Sequence, residues 1–438
     1  MGQNLISRGD REQRGQTMIL VAVSIVSLLA MAALAIDVVT LYVASTEIQR
    51  AADAAALAGA KAMADSGLTS LPEADPSFTA VQTLARNMAN SAIAAVLAAP
   101  NNQVAGFAQA PGTPTFNFTP NSNGAINDPR VTVTLQQTGL PTFFAHIWGA
   151  KVASVTASAT AEAYNPANMA NYTQIAPKGV KPWLVANYDP VSGNPFVNLL
   201  TGEVESGAIS NADFWLNADC PVGGANSKCT YPPPSNPPGR ATIPEGPGVQ
   251  YLPAVVSANT ANVCSKCASG SDYQSSIQCA DMNPYQFPQC GAGATNAQWD
   301  QVDRINPNGS FFSKRDTTEG VECLIHAQDV GLNQGQDSIS WANWPMNPMQ
   351  ITSNNTAVST SSSIVAMPII DRTNPIPASG AVSIIGYLQA FIEQIDANNN
   401  IQIKVINVVG CVAPSAAATS VLGGNTSSPI PVRLITTP

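Results

Sequence analysis

Histidine and charged side chains are scarce in this chain. The only two histidines are His146 and His326, and Asp, Glu, Lys and Arg together make up 11% of the residues. Histidines so far apart give no nucleophilic triad or zinc-hydrolase motif, and no glycine-rich phosphate loop occurs. The formal net charge of -9 argues against nucleic acid as a partner. The sequence therefore predicts a protein that is not an enzyme and that has no cofactor and no catalytic or metal site.

Cysteine is absent from the first half of the chain. An even set confined to the second half is typical of disulfides in an oxidising compartment, although the sequence leaves their pairing open. Metal or redox chemistry is the alternative, because Cys264 and Cys267 have C-x-x-C spacing, but a second C-x-x-C is missing. The eight disulfide candidates are Cys220, Cys229, Cys264, Cys267, Cys279, Cys290, Cys323 and Cys411.

One long apolar run stands near the N-terminus. Residues 17–36 read TMILVAVSIVSLLAMAALAI and carry no charge. Twenty helical residues span about 30 Å, the thickness of a bilayer core. Arg8, Arg11 and Arg14 precede the run, so the positive-inside rule places the N-terminus in the cytoplasm. We therefore predict a cytoplasmic segment at residues 1–16 and a transmembrane helix at residues 17–42.

Processing of this N-terminus has two alternative interpretations. Ala33-Leu34-Ala35 resembles the small-x-small cleavage site of a secretory signal peptide. Gly15, directly before the apolar run, is a possible site for a prepilin-type peptidase. We favour a retained anchor, because the run is long for a signal peptide and its apolar pattern continues past Asp37.

Asp37 allows two interpretations. An ionisable side chain deep in a membrane is expensive and indicates a function, such as helix pairing. At the outer boundary of the span, the same carboxylate would reach headgroups and water at little cost. Its position twenty residues into the apolar run fits that boundary, where Tyr42 also lies.

An alanine-rich segment follows the membrane span. Apolar residues recur there in alternating steps of three and four, which predicts a helical stalk at residues 43–66 that ends near Gly67. Small seam residues let a second backbone approach closely. The partner is either another chain or the protein's own globular part. The residues predicted to mark the membrane boundary or to pair helices are Asp37, Tyr42, Ile48, Ala51, Ala55 and Ala58.

The segment 14–60 resembles the N-terminal signature of the TadE/TadG-like Flp-pilus (tight adherence) assembly proteins. The resemblance is carried by Arg14-Gly15, the apolar span, Ile36-Asp37-Val38, Tyr42, Ile48-Gln49 and the string AADAAALAGA at residues 51–60. It implies an anchored structural component of a pilus or secretion apparatus in the bacterial envelope. Longer members carry a von Willebrand-type domain with an Asp-x-Ser-x-Ser metal motif. That string does not occur here, so the resemblance is to a TadG-like member without this domain.

The rest of the sequence predicts an α+β fold. Residues 67–164, the neck, combine a helix at 77–98 with alternating strands at 130–135 and 151–163. Residues 165–438, the C-terminal body, are a β-rich, loop-rich extracytoplasmic domain with all eight cysteines. Residues 364–370, 382–388 and 401–409 are strand candidates in it, whereas 387–395 reads as a short helix.

These observations predict a structural protein of the bacterial inner membrane. The N-terminus would be cytoplasmic, and the C-terminal bulk periplasmic or extracellular. Its partners would be the membrane and other Tad/Flp pilus assembly proteins, contacted through the N-terminal helix, or further copies of itself. The alternative is an anchored binding module or adhesin for which the helix is a simple tether.

Overall fold

A computed structural model describes the chain in segments, and all structural statements refer to these residues. The described residues are 9–110, 112–118, 128–142, 152–165, 175–176, 180–199, 202–205, 207, 212–218, 234–253, 272–278, 314–327, 334–341, 344–358, 361–373, 384–410, 422–423 and 430–435.

The N-terminal helix α1 (Gly9–Asp65) is continuous through the apolar run and the alanine-rich segment. Its 57 residues correspond to a length of about 85 Å. It begins before the predicted residue 17 and ends as predicted. Gly67 adopts a left-handed conformation with φ 82°, which side chains with a Cβ disfavour, and its N–H donates to the carbonyl of Ala64.

Helix α2 (Phe78–Ala98) lies antiparallel to the C-terminal, alanine-rich half of α1. Two contacts fix this direction. A Cβ built on Gly59 would lie 2.9 Å from Ile93 Cδ1, and Arg50 Nη2 donates to the carbonyl of Asn101 at 2.9 Å. The apolar face of α2 is buried, as the sequence predicts.

A four-stranded antiparallel sheet, the neck sheet, also packs against α1. Its strands are β1 (Thr115–Asn117), β2 (Arg130–Pro141), β3 (Val152–Ala163) and β16 (Val432–Ile435), in that order. The alternation predicted from the sequence is present: Val131, Val133 and Leu135 are buried, and the threonines between them point away. The last strand comes from the C-terminus, outside the predicted neck range.

The C-terminal body is built on a sheet that closes on itself. Its strands are β5 (Trp183–Ala186), β6 (Phe214–Ala218), β7 (Arg240–Ile243), β8 (Gly246–Pro253), β12 (Ile364–Ile370), β13 (Ile384–Ile395) and β14 (Ile401–Gly410). The order is β5-β12-β13-β14-β6-β8-β7, and β5 also pairs with β8, so six strands form a closed ring. Within the ring, closure removes the free edges that open sheets expose, whereas β7 pairs with β8 as an edge strand outside it. The body is thus β-rich, as predicted.

The interpretation of residues 387–395 as a helix is wrong. They belong to β13, which pairs with β12 as far as Phe391 and with β14 as far as Ile395. Leu, Gln, Ala and Glu favour a helix locally, but most of β13 is buried. Tertiary pairing therefore overrides the local preference.

Smaller elements surround the ring. Helices α3 (Asp272–Gln278) and α4 (Lys314–Leu324) pack against each other, and β9 (Asp337–Ser340), β10 (Gln350–Ser353) and β11 (Thr356–Val358) form an antiparallel sheet. Strands β4 (Ile175–Ala176) and β15 (Leu422–Gly423) form a parallel pair.

Buried hydrogen bonds join the neck to the body. Asn165 Nδ2 donates to the carbonyls of Thr69, at 3.1 Å, and Val408, at 3.0 Å. The backbone N–H of Val408, on β14, donates to Ser70 Oγ at 3.0 Å. Because these polar groups are buried, breaking one bond would leave its partner unsatisfied. These hydrogen bonds therefore favour one arrangement of the neck against the body.

Candidate functional site

The membrane-facing half of α1 exposes a belt of large apolar side chains. Exposed fractions lie between 48% and 77% from Met18 to Val43, and α1 is the one helix among the described residues that is long and apolar enough to cross a membrane. Exposing such a belt to water would cost free energy, whereas in a bilayer the lipid tails surround it. The helix has the properties of a single membrane anchor.

One face of this half is covered by the chain itself. Ala33 is 7% exposed and Asp37 is 4% exposed, whereas the neighbouring Ile36 and Val38 are 52% and 57% exposed. Ala33, Asp37 and Ala44 are four and seven residues apart, which places them on one helical face. The sequence left open whether Asp37 is solvated at the membrane boundary, and in the structure its side chain is shielded.

Apart from Asp37, the six residues predicted to mark the boundary or to pair helices fall into two groups. Ile48, Ala51 and Ala55 are 0% exposed in the core between α1, α2 and the neck sheet, and Ala58 is half-buried. This arrangement is the alternative in which the seam packs on the protein's own globular part. Tyr42 is 74% exposed and open to another molecule. A pairing role for any of the six stays a prediction.

Polar residues just above the membrane hold loops against α1. Glu47 Oε2 accepts a hydrogen bond of 2.7 Å from the backbone N–H of Ala105. Arg50 Nη2 donates to the carbonyl of Asn101 at 2.9 Å. The side chains of Glu47 and Arg50 therefore fix the membrane-proximal end of the neck onto the helix, through backbone groups that sequence spacing does not reveal.

A groove in the C-terminal body is the second candidate site. It encloses about 300 Å³ between the loop after β5, the segment before β7 and the end of β12. Arg372, only 2% exposed, brings a positive charge to a wall that also holds Glu205. In the sequence, the only signal for this groove is the polar triplet Asp371-Arg372-Thr373, which directly follows the apolar strand β12. The lining residues are Asn187, Tyr188, Gly193, Pro195, Asn198, Leu199, Glu205, Pro237, Pro238, Arg372 and Thr373.

Buried ionisable groups in the body have shifted pKa values. Burial lowers the pKa of Lys181 to about 7, and its Nζ donates to the carbonyl of Ile277 at 2.7 Å. Burial, with the nearby Asp213 carboxylate, raises the pKa of Glu393 to about 6, while Lys404 lowers it. Lys404 Nζ lies 2.9 Å from Asp213 Oδ1. Neither Lys181 nor Glu393 lines the groove. We therefore read their pKa shifts as contributions to the pH dependence of folding stability.

The cysteine prediction falls largely outside the described residues. Cys323, on α4, is 7% exposed, and the other seven candidates lie in segments that the structure leaves undescribed. The disulfides stay a prediction. Within the described segments, no group of three His, Cys, Asp or Glu side chains is placed to hold a metal ion.

Comparison with known families identifies the helix. Residues 15–62 match the family model for Flp pilus-assembly TadE/G-like proteins. This match confirms the resemblance seen in the sequence, and it covers α1 from the start of the span to three residues before its end. No curated protein and no solved structure matches the chain.

Proposed function

We propose that this chain, whose residues 15–62 match the family model for TadE/G-like Flp pilus-assembly proteins, is a membrane-anchored structural component of such a pilus or of a related secretion apparatus. The family match carries the proposal. The exposed apolar belt on α1 supports the anchor, and the family is one of structural and assembly proteins, not of enzymes.

The orientation we propose follows from charge. Arg8, Arg11 and Arg14 lie before the span and favour the cytoplasmic side of the inner membrane. The neck and the C-terminal body would then lie in the periplasm or outside the cell. An oxidising compartment suits a chain whose eight cysteines all belong to that part.

For helix pairing we propose the open face of the span. Val38, Val39 and Tyr42 are 57%, 61% and 74% exposed, and Tyr42 supplies an aromatic ring at the membrane boundary. The alanine seam contributes indirectly, because it packs the neck onto the helix. A partner helix in the membrane would therefore meet a face that already has a fixed orientation relative to the neck.

An anchor exchange tests this function. The lipid-facing residues within 18–43 are replaced by an unrelated apolar sequence, while Ala33 and Asp37 are kept so that the covered face is preserved. We expect the variant to reach the membrane in normal amount but to lose surface fibres in a complementation assay. Normal fibre assembly would show that the helix is a simple tether.

Photocrosslinking tests the proposed face directly. A benzophenone amino acid at Tyr42 is compared with the same probe at Asn90, an exposed position on α2. We expect ultraviolet light to join the Tyr42 probe to a membrane protein of the apparatus or to a second copy, and the Asn90 probe to give no such product. Equal labelling from both sites would argue against a pairing face in the membrane.

The groove supports a second candidate, an anchored binding module. Arg372 with Tyr188 and the asparagines of the wall suits a small polar ligand that carries an anionic group. If the anchor exchange preserves function while Arg372→Met abolishes it, the body is the active part and the helix is its tether.

A further inference from the structure

The β2–β3 hairpin extends beyond the sheet to which it belongs. Strand β1 pairs with β2 only at Arg130–Thr132, and β16 pairs with β3 only at Thr160–Ala163. The two long strands continue together from there as far as the Pro141–Val152 pair. Among the described strands, none flanks this lower half of the hairpin.

Two contacts show that the hairpin runs along α1 toward the membrane. A Cβ built on Gly59 would lie 3.1 Å from Val131, near the start of β2. Gln49 Nε2 donates to the carbonyl of Ser158, the residue opposite Thr134, at 3.5 Å. Later residues of β2 therefore lie beside earlier residues of α1.

The length of β3 places its end at the outer edge of the span. Val152 is six residues beyond Ser158, about 20 Å of extended strand. The same distance on a helix is about 13 residues, which leads from Gln49 to about Ile36. A bilayer core of about 30 Å that begins at Thr17 ends near Asp37, and the exposed apolar belt continues from there through the interfacial layer to Val43. The hairpin end and the membrane boundary coincide.

Burial on α1 supports this placement independently. The covered face of the helix continues below the neck through Ala44 and Asp37 to Ala33. Leu41 of α1 and Ala153 and Val155 of the lower hairpin are all partly buried against the same large apolar core. Burial of one helix face therefore continues down to the level at which the hairpin ends.

The chemistry of the hairpin end suits the headgroup layer. Val152 is 63% exposed beside the boundary, while Thr138, Ser154 and Thr156 point outward. Unpaired backbone groups and polar side chains are excluded from the hydrocarbon core but are tolerated where water and headgroups are present. An exposed valine can insert at the edge of the core.

We propose that the β2–β3 hairpin is a second membrane contact. Its end, residues 138–142 and 152–154, rests in the headgroup layer of the leaflet on the neck side, with a phospholipid surface as its partner. The inference rests on the proposed span of α1. It gives the neck two points of attachment to the bilayer, one on the helix and one on the hairpin.

Site-specific fluorescence in nanodiscs of phosphatidylethanolamine and phosphatidylglycerol tests the proposal with the full chain. A genetically encoded, environment-sensitive fluorescent amino acid replaces Val152, and a second variant carries it at Thr138 in case the first does not fold. The matched control carries it at Ser158, on the same strand and face as Val152 but about 20 Å farther from the membrane. A probe at Leu28 reports on the span itself.

We expect lipids brominated near the headgroup to quench the probes at Val152 and Thr138, and to leave the Ser158 probe unchanged. Lipids brominated near the chain end should quench the Leu28 probe. Quenching at Leu28 without quenching at either hairpin position would overturn the hairpin contact and leave the anchor intact. Absence of quenching at Leu28 would instead overturn the proposed anchor. Hairpin probes shielded from iodide but insensitive to brominated lipid would indicate a protein neighbour and would also refute the lipid contact.

Discussion

Truncation of Ile48 is the sharpest test of how the alanine-rich half of α1 is used. Ile48 is 0% exposed in the core between α1, α2 and the neck sheet. Ile→Ala at a buried site costs about 2–5 kcal/mol, and the cost rises with the cavity that remains. The flanking residues Ala44, Ala51 and Ala52 have no longer side chains to fill that cavity. We therefore expect the upper half of this range, a large share of the stability of a typical domain.

Pulse proteolysis of the full chain in nanodiscs over a urea series measures this loss. Ile48→Ala should lower the urea concentration at which the neck becomes cleavable, whereas Tyr42→Ala should not, because Tyr42 is 74% exposed beside the membrane. An unchanged midpoint for Ile48→Ala, together with weaker crosslinking between chains, would refute the reasoning. That result would show that the seam faces another molecule.

Three further changes test the rest of the fold. Glu162→Gln should cost about 1–3 kcal/mol and release β16 to proteases, because this buried carboxylate accepts from Arg433 Nε at 2.7 Å. Glu393→Gln should stabilise the body by about 1 kcal/mol at neutral pH, discounted for partial exposure, as measured by thermal unfolding. This stabilisation by Glu393→Gln should vanish below pH 4.5, the ordinary pKa of a glutamate, because the native carboxyl is then protonated in both the folded and the unfolded state. Gly410→Ala should destabilise the body in urea melts by about 1–3 kcal/mol, since its Cβ would overlap the backbone oxygen of Gly202.

Local patterns account for the part of the fold that the sequence predicts. Helix α1 follows from an apolar run joined to a 3-4 repeat, and its end follows from Gly67. Strands β2 and β3 follow from period-two alternation. In each case the residues that decide the structure are neighbours in the chain, so no knowledge of the partner element is needed.

Long-range pairing accounts for most of what the sequence does not predict. Strand β13 carries helix-forming residues and becomes a strand because β12 and β14 lie on both sides of it. Strand β16 joins β3 from the far end of the chain, and no local pattern indicates its partner. Strand β7 and the start of β8 form in a stretch rich in proline and glycine, a composition that is typical of a surface loop. The groove around Arg372 likewise combines three segments distant in sequence.

The alanines of α1 allow neighbouring elements to pack more closely against the helix than longer side chains would. Where α2 and the neck sheet meet the helix, a Cβ on Gly59 would lie about 3 Å from both Ile93 and Val131, so the two elements leave no room there for a longer side chain. Helical propensity keeps this stretch rigid without large side chains, and no break separates it from the span. A rotation of the span in the membrane must therefore turn the neck with it. The covered face from Ala33 to Ile48 fixes that rotation, and it leaves Tyr42 and its neighbours exposed.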